Sequence, residues 1–187
     1  MLEKELKSML NEEAFCKIEK MYKWDSIKTQ ENHYYTDTDG ILSKNKSVFR
    51  IRYKDGNYTV QVKLHKTNDG ALHICEENEF PIDSTPESIS SECAAKYTGL
   101  ATGQLIKLGH NTTLRHSYMW NATTEICLDK TSYFDITDYE IEIEYTDECP
   151  KALLDELKSV GVEFESKTTG KYSRFMKKWK DTVTNII

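Results

Sequence analysis

The sequence predicts an α+β fold that is mainly β: a closed eight-stranded antiparallel barrel with a charged lumen and with helices packed outside. Three observations support this. Charged and apolar residues alternate strictly through Tyr139–Tyr145, the pattern of a strand with two different faces. A similar alternation flanks Asp55-Gly56, a pair that favours two-residue hairpin turns. Finally, the charged strand faces carry bases and acids in similar numbers.

Composition limits the class of protein. The 187 residues suffice for one domain, 1–187, with a sizeable core. A net charge of −6 argues against nucleic-acid binding, and no apolar run predicts a signal segment or a membrane span. The five cysteines are scattered without a C-x-x-C pair, as in cytosolic proteins with reduced thiols. We therefore expect a cytoplasmic protein; its oligomeric state is not fixed by these features.

The N-terminal third begins with a predicted strand at 2–9. Its charged face is Glu-x-Glu-x-Lys, formed by Glu3, Glu5 and Lys7. Asn11 is a suitable N-cap for a helix over about 12–24, where apolar residues recur at helical spacing. A second strand is predicted at 32–38.

A hairpin follows, with strands at 47–54 and 57–65. Arg50 and Arg52 share one face of its first strand, and Lys63 lies on the charged face of the second. The next strand, at about 71–80, places two acids on one face, which are Glu77 and Glu79.

The middle of the chain is predicted to change character. Thr85-Pro86 resembles a helix start, and helical segments are expected through about residue 108, with an interruption near Gly99. Two strands then follow at 112–120 and 123–129. Arg115 is predicted on the charged face of the first of these strands, and Asp129 on that of the second.

The last part of the chain contains the acidic strand, whose charged face is Glu140, Glu142 and Glu144. Successive residues on this face lie roughly 7 Å apart, so their carboxylates repel one another unless cations lie between them. A helix from Pro150 to Gly161, a short strand at 162–164 and a last helix from about Gly170 complete the prediction.

The charged faces leave two arrangements open. An open sheet could expose them to water, whereas closure into a barrel removes the sheet edges and turns the charges inward. A dry, unpaired charged lumen is costly. A polyanion held by the bases, with a divalent cation bridging it to the acids, would offset this cost. The histidines lack zinc-site spacing, so any metal should have oxygen ligands.

These motifs resemble the CYTH superfamily, the triphosphate tunnel metalloenzymes. The resemblance covers almost the whole chain and depends on six elements in the family's order. They are Glu3-x-Glu5-x-Lys7, Arg50-x-Arg52, Lys63, Arg115, an acid (Asp129) ahead of Glu140-x-Glu142-x-Glu144, and the C-terminal pair Lys171 and Arg174.

The resemblance implies a tunnel that binds triphosphates and Mg²⁺ or Mn²⁺. The implied phosphate-binding residues are Lys7, Arg50, Arg52, Lys63, Arg115 and Lys171, with Arg174 as a further candidate. The implied metal ligands are Glu3, Glu5, Glu142 and Glu144. Asp129 and Glu140 would bind metal or orient water, and Lys7 would also assist catalysis.

Two departures from the family pattern affect this assignment. Cys75 occupies the position of an arginine, which leaves Glu77 and Glu79 as possible site residues. Lys167 is an alternative to Lys171 at the C-terminal motif, although Arg174 follows Lys171 at the expected offset.

The leading hypothesis is a metal-dependent hydrolase of inorganic triphosphate or of a nucleoside or organic triphosphate. One rival is a class IV adenylyl cyclase with the same tunnel, and a thiamine triphosphatase is a narrower variant. The other rival is a module that binds polyphosphate or nucleotide without turnover. The partner expected in each case is a small molecule, not nucleic acid or a membrane.

Overall fold

A computed structural model of the protein describes residues 2–69, 72–164 and 168–184. The alternative site residue Lys167 and the side chain of the predicted metal ligand Glu3 lie outside this description. None of the helices in the described part combines the length and apolarity needed to cross a membrane.

The described residues form nine strands and five helices. In chain order these elements are β1 (Leu2–Leu10), α1 (Glu12–Glu19), β2 (Ser26–Asp37), α2 (Ile41–Lys44), β3 (Ser47–Lys54), β4 (Asn57–Asp69), β5 (Leu72–Ile82), β6 (Ser88–Ile89), α3 (Ser91–Thr98), β7 (Leu105–Asn121), β8 (Thr124–Tyr133), β9 (Ile136–Tyr145), α4 (Lys151–Ser159) and α5 (Lys171–Thr184).

The strands form one antiparallel sheet in the order β2-β3-β4-β5-β1-β9-β8-β7-β6. Strand β7 also pairs with β2, antiparallel, from Ser26↔Ser117 to Asp37↔Leu105. The predicted hairpin of β3 and β4 is present and turns at Asp55 and Gly56. The prediction of a mainly-β antiparallel sheet with helices is therefore confirmed.

Alternation along the strands separates an apolar face from a charged face, as β9 illustrates. Ile141 and Ile143 are fully buried beneath α1 and α4, which contribute Phe15 and Leu153 to the same core. Ala94 of α3 packs in a second core with residues of β2, β3 and β4. These helices shield the apolar face from water, and this burial is the main stabilising contribution.

Helix α5 departs from the predicted arrangement of helices on the outside. Its Phe175 is fully buried among Tyr34, Val48 and Tyr133. Val48 alternates with Arg50 along β3 and therefore lies on the charged face. Helix α5 thus packs against one end of the charged face, and its first residues come close to the ionic side chains.

Three predictions of local structure are wrong. The segment 85–108 is not mainly helical, because β6 precedes the short α3 and β7 already begins at Leu105. Gly99, with φ of +69°, ends α3 in a left-handed conformation that glycine tolerates. Helix α1 ends at Glu19 instead of continuing to residue 24, and the described residues 162–164 form no strand.

Replacing Ile143 by alanine should lower the free energy of unfolding by about 2–5 kcal/mol, because it leaves a cavity in a closed core. Urea denaturation measures the change. Ile27→Ala is the matched control, since the Ile27 side chain is 56% exposed and its loss should change stability little. Equal losses in the two variants would contradict the assignment of the core face.

Candidate functional site

The charged face surrounds a cavity of about 260 Å³. Strands β1 to β5, β7 and β9 and the start of α5 contribute its lining: Glu5, Lys7, Gln30, Asn32, Val48, Arg50, Arg52, Gln61, Lys63, Glu77, Glu79, Arg115, Glu142, Glu144, Gly170, Lys171 and Tyr172. Most of the predicted site residues are thus brought together, although they are far apart in the sequence. Asp129, Glu140 and Arg174 lie behind this lining and contact it through ion pairs.

Arg115 connects three carboxylates. Its Nε and Nη2 donate to the two oxygens of Asp129 at 2.9 and 2.7 Å. The guanidinium also bonds to Glu142 and, at 3.1 Å, to Glu144 Oε1. The antiparallel register places Asp129 directly opposite Arg115 on β8, and the planar guanidinium suits such a two-pronged contact.

Lys171 contacts the same acidic group from α5. Its Nζ lies 2.8 Å from Asp129 Oδ2 and 2.9 Å from Glu142 Oε1, and it also bonds to Glu140. Arg174, one turn later, bonds to Glu140 and lies 2.7 Å from Asp138 Oδ2. The start of α5 therefore supplies the cations that neutralise the deepest carboxylates.

Lys7 lies between two acids of neighbouring strands. Its Nζ is 2.7 Å from Glu5 Oε1 and 3.5 Å from Glu142 Oε1. All three side chains are less than a tenth exposed. The Glu-x-Glu-x-Lys motif thus joins the acidic face of β9 because β1 pairs with β9, with Lys7 opposite Glu142.

A second group of charges lies on β3, β4 and β5. Arg50 Nε donates to Gln61 Oε1 at 2.7 Å, and its Nη2 lies 3.3 Å from Glu77 Oε1. Lys63 Nζ lies 3.2 Å from the other oxygen of Glu77, and Gln61 also donates to Glu79. Glu77 thus pairs with two predicted phosphate-binding residues.

Arg52 is different, because its Nε donates to an uncharged acceptor, Asn32 Oδ1, at 2.9 Å. Within the described residues Arg52 makes no ion pair with a carboxylate. Burial, together with the positive charges of Arg50 and Arg115, lowers the pKa of Arg52 to about 9. Because a guanidinium remains protonated near neutral pH, this environment favours an anion.

The buried carboxylates differ in their affinity for protons. Burial opposes ionisation of Glu142, but the charges of Lys171, Lys7 and Arg115 hold the pKa of this carboxyl well below its usual value. Burial and the neighbouring charge of Glu142 raise the pKa of Glu140 despite its contacts with cations. Glu142 is therefore the more strongly ionised of the two.

Among the residues that the structure describes, two groups made up of acids alone have oxygens close enough to share a cation. Ligand atoms of Glu5, Glu142 and Glu144 lie within 4.8 Å of one another, as do those of Asp129, Glu140 and Glu142. The ammonium of Lys171 contacts all three members of the second group. The first group, with oxygen ligands beside the cavity, fits a hard divalent cation better.

The uncharged members of the cavity wall are not among the residues predicted from the sequence. Gln30, Asn32 and Gln61 are buried and line the cavity. They share strand faces with charged residues, so alternation could have indicated their position. Neutral amides carry no charge signal, however, and the contacts of Asn32 depend on strands that are distant in the sequence.

A larger cavity, of about 570 Å³, opens beside the charged one. It shares Glu77, Glu79 and Glu144 with the charged cavity and is also bordered by Met119 and Tyr145. Its wall is mainly apolar, so it offers space for a less polar group next to the ionic site.

The CYTH domain model matches residues 1–173, which is most of the chain. The chain belongs to the CYTH domain family. This agrees with the resemblance drawn from the ordered charged motifs. No curated protein matches the sequence.

Several solved structures are similar in fold to this chain. A candidate adenylyl cyclase from Hippeastrum with a dominant triphosphatase activity has a TM-score of 0.76 and 23% identity, over 94% of this chain and 95% of its own. A candidate adenylate cyclase from Bacillus halodurans has a TM-score of 0.69 and 26% identity, over 91% and 95%. The mimivirus capping enzyme triphosphatase has a TM-score of 0.52 and 16% identity, over 85% and 88%.

Asp129 should make the stability of this CYTH protein depend on pH. Burial opposes its ionisation, but Arg115 and Lys171 outweigh burial and lower the pKa of Asp129. Its stabilising contribution is therefore present above the unfolded value, about 3.9, and is lost as the pH falls through the lower folded value. Asp129→Asn should cost about 3 kcal/mol at pH 7, and the difference from wild type should shrink below about pH 4.

Urea unfolding between pH 7 and pH 3 measures this difference. Asp147→Asn is the control, because its side chain is exposed and does not line the charged cavity, so its replacement should change stability by less than about 0.5 kcal/mol. A difference between Asp129→Asn and wild type that stays constant over the whole range would contradict the role of the Asp129 carboxylate.

Proposed function

We propose that this CYTH protein is a divalent-metal-dependent triphosphatase that hydrolyses inorganic triphosphate or a nucleoside or organic triphosphate. The observation that carries the proposal is the division of charge across one cavity. Arg52 makes no ion pair with a carboxylate among the described residues, whereas ligand oxygens of Glu5, Glu142 and Glu144 lie close together on the other side. A chain of phosphates bearing a divalent cation complements both sides.

The cavity is proposed to be the lumen of a closed eight-stranded barrel. Strand β7 pairs with β8 at one edge and with β2 at the other, which supports closure of the eight long strands. A closed wall has no free edges and keeps its inward residues at fixed separations. Such a lumen would hold a linear polyanion along its axis while excluding most of the water.

The basic residues of the lining are proposed to bind the phosphates: Lys7, Arg50, Arg52, Lys63, Arg115 and Lys171. Arginine can bind two phosphate oxygens at once, and lysine acts as a point charge. Together they would stabilise the charge that develops on the transferred phosphoryl group and on the leaving diphosphate. Arg174 lies behind the lining, and its proposed role is to hold Glu140 and Asp138.

Glu5, Glu142 and Glu144 are the proposed ligands of Mg²⁺ or Mn²⁺, together with Glu3 as the motif implies. The bound ion would supply Lewis-acid neutralisation of phosphate oxygens. In the reaction, the oxygen of water bonds to the terminal phosphorus and the bridging phosphorus–oxygen bond breaks, which releases orthophosphate. Lys7 contacts Glu5 and Glu142 and would also face the substrate, so it can offset the charge of these acids while it contacts a phosphate.

Asp129 and Glu140 are proposed to act through their neighbours. Both are almost fully buried, and their oxygens contact Arg115, Lys171 and Arg174. They would therefore set the positions of two phosphate-binding cations. The direct role in metal binding or water orientation that the family resemblance implies for both residues stays a prediction.

The adjacent cavity has a mainly apolar wall, and it borders the charged cavity because the two share three carboxylates. This arrangement favours a substrate with an organic group at one end. A class IV adenylyl cyclase would use the same charged residues, but the attack would be on a different phosphorus of the triphosphate. Triphosphatase activity of the Hippeastrum and mimivirus proteins supports hydrolysis.

Arg52→Ala should lower kcat/KM for tripolyphosphate by about a hundredfold or more, because it removes a charge that lines the cavity and would face the substrate. Phosphate release with Mg²⁺ measures the effect, and circular dichroism checks that the variant is folded. Lys180→Ala, on the exposed side of α5, is the control and should retain activity within about twofold of wild type. Full activity of Arg52→Ala would reject the proposed site.

Removal of divalent metal by a chelator should abolish turnover, and Mg²⁺ or Mn²⁺ should restore it. Glu144→Gln should require a higher metal concentration for half-maximal activity, because one anionic ligand is lost.

A screen of tripolyphosphate, ATP and thiamine triphosphate with Mg²⁺, Mn²⁺ and Ca²⁺ identifies the substrate. Cyclic AMP formed from ATP would favour the cyclase, and tight tripolyphosphate binding without release would favour a binding module.

A further inference from the structure

Arg52 is held by a chain of uncharged, buried side chains. Its Nε donates to Asn32 Oδ1 at 2.9 Å, and Asn32 Nδ2 donates to Asn111 Oδ1 at 3.0 Å. Asn111 Nδ2 in turn donates to the Tyr34 hydroxyl at 3.1 Å. Asn32, Asn111 and Tyr34 are each no more than 1% exposed. We call these three residues the amide relay.

The sheet register accounts for the path of the amide relay. Asn32 on β2 pairs directly with Arg52 on β3 and with Asn111 on β7. Three adjacent strands therefore align the guanidinium and both amides in one row. The row exists because β2 pairs with β7, which lies more than seventy residues later in the chain.

The guanidinium determines the direction of every bond in the relay. Arginine can only donate, so Asn32 must present its oxygen to Arg52 and its amino group to Asn111. Asn111 then presents its oxygen to Asn32 and its amino group to the Tyr34 hydroxyl, which can accept. The orientation of Arg52 is fixed without an opposing charge.

The contrast with the neighbouring cations suggests why the acceptor is an amide. Arg115, Lys171 and Lys7 all contact carboxylates within the same cavity wall. An aspartate has nearly the same shape as asparagine and could accept the same hydrogen bond from Arg52. An aspartate carboxylate would, however, neutralise the charge of Arg52, which the proposed substrate is expected to neutralise instead.

We propose that Asn32 is a positioning residue which, supported by Asn111 and Tyr34, presents Arg52 to a substrate phosphate without a carboxylate at ion-pair distance. This inference rests on the proposed triphosphatase function. It identifies the buried amide, which makes no contact with the reacting atoms, as a determinant of triphosphate affinity.

Asn32→Asp tests the inference, because it changes charge with little change in shape. Its kcat/KM for tripolyphosphate with Mg²⁺ should fall about tenfold or more, as expected when one charged hydrogen bond to the substrate is largely lost. Its Tm should stay close to that of wild type, because the introduced carboxylate pairs with Arg52. Asn111 can turn its amino group toward that carboxylate, while the Tyr34 hydroxyl donates to Asn111 Oδ1. Asn32→Ala should lose less activity, since the charge of Arg52 remains.

Asn78→Asp is the matched control. Asn78 lies between Glu77 and Glu79 on β5, so alternation directs it away from the cavity. The same change of net charge there should leave kcat/KM within about twofold of wild type.

The outcomes separate the two proposals. Wild-type protein that neither binds nor hydrolyses tripolyphosphate, ATP or thiamine triphosphate would reject the proposed function and this inference with it. An active wild type with Asn32→Asp within about threefold of it would overturn the inference alone. A fall in activity accompanied by a lower Tm would show a merely structural role for Asn32, and greater loss in Asn32→Ala than in Asn32→Asp would also overturn the charge argument.

Discussion

The contact of Arg115 and Lys171 with Asp129 and Glu142 is the constraint on which the charged interior depends. Each of these groups would be costly to bury alone, because transfer from water strongly disfavours an unpaired charge. Asp129 is fully buried and yet has a lowered pKa, since two cations lie within hydrogen-bond distance. The network therefore requires β7, β8, β9 and the start of α5 to be present together.

The network also explains the placement of α5. Phe175 anchors the helix among Tyr34, Val48 and Tyr133, and this apolar contact brings Lys171 to the carboxylates. Apolar packing supplies a favourable free energy that is not directional, whereas the ion pairs fix the position of the first turn. The helix thus completes the wall of the cavity as well as covering one end of it.

Compensation of charge is uneven around the cavity. In the described part of the chain, the two groups of acids that could share a cation comprise five carboxylates, which four cations contact, while Arg52 on β3 has a neutral acceptor. This asymmetry distinguishes a site prepared for a ligand from a set of ion pairs that are complete by themselves. It is the physical basis for proposing that both an anion and a divalent cation bind here.

The sequence by itself determined the faces of the strands, because alternation at Tyr139–Tyr145 and around the Asp55-Gly56 hairpin is a local property. It also indicated the family, since the charged motifs occur in a characteristic order. It did not determine that residues near Leu105 belong to a strand, because β7 is extended by pairing with β2 and not by local propensity alone. Only the tertiary structure decided which acid neutralises which base and that Arg52 meets an amide, because these contacts join strands that are distant in the chain.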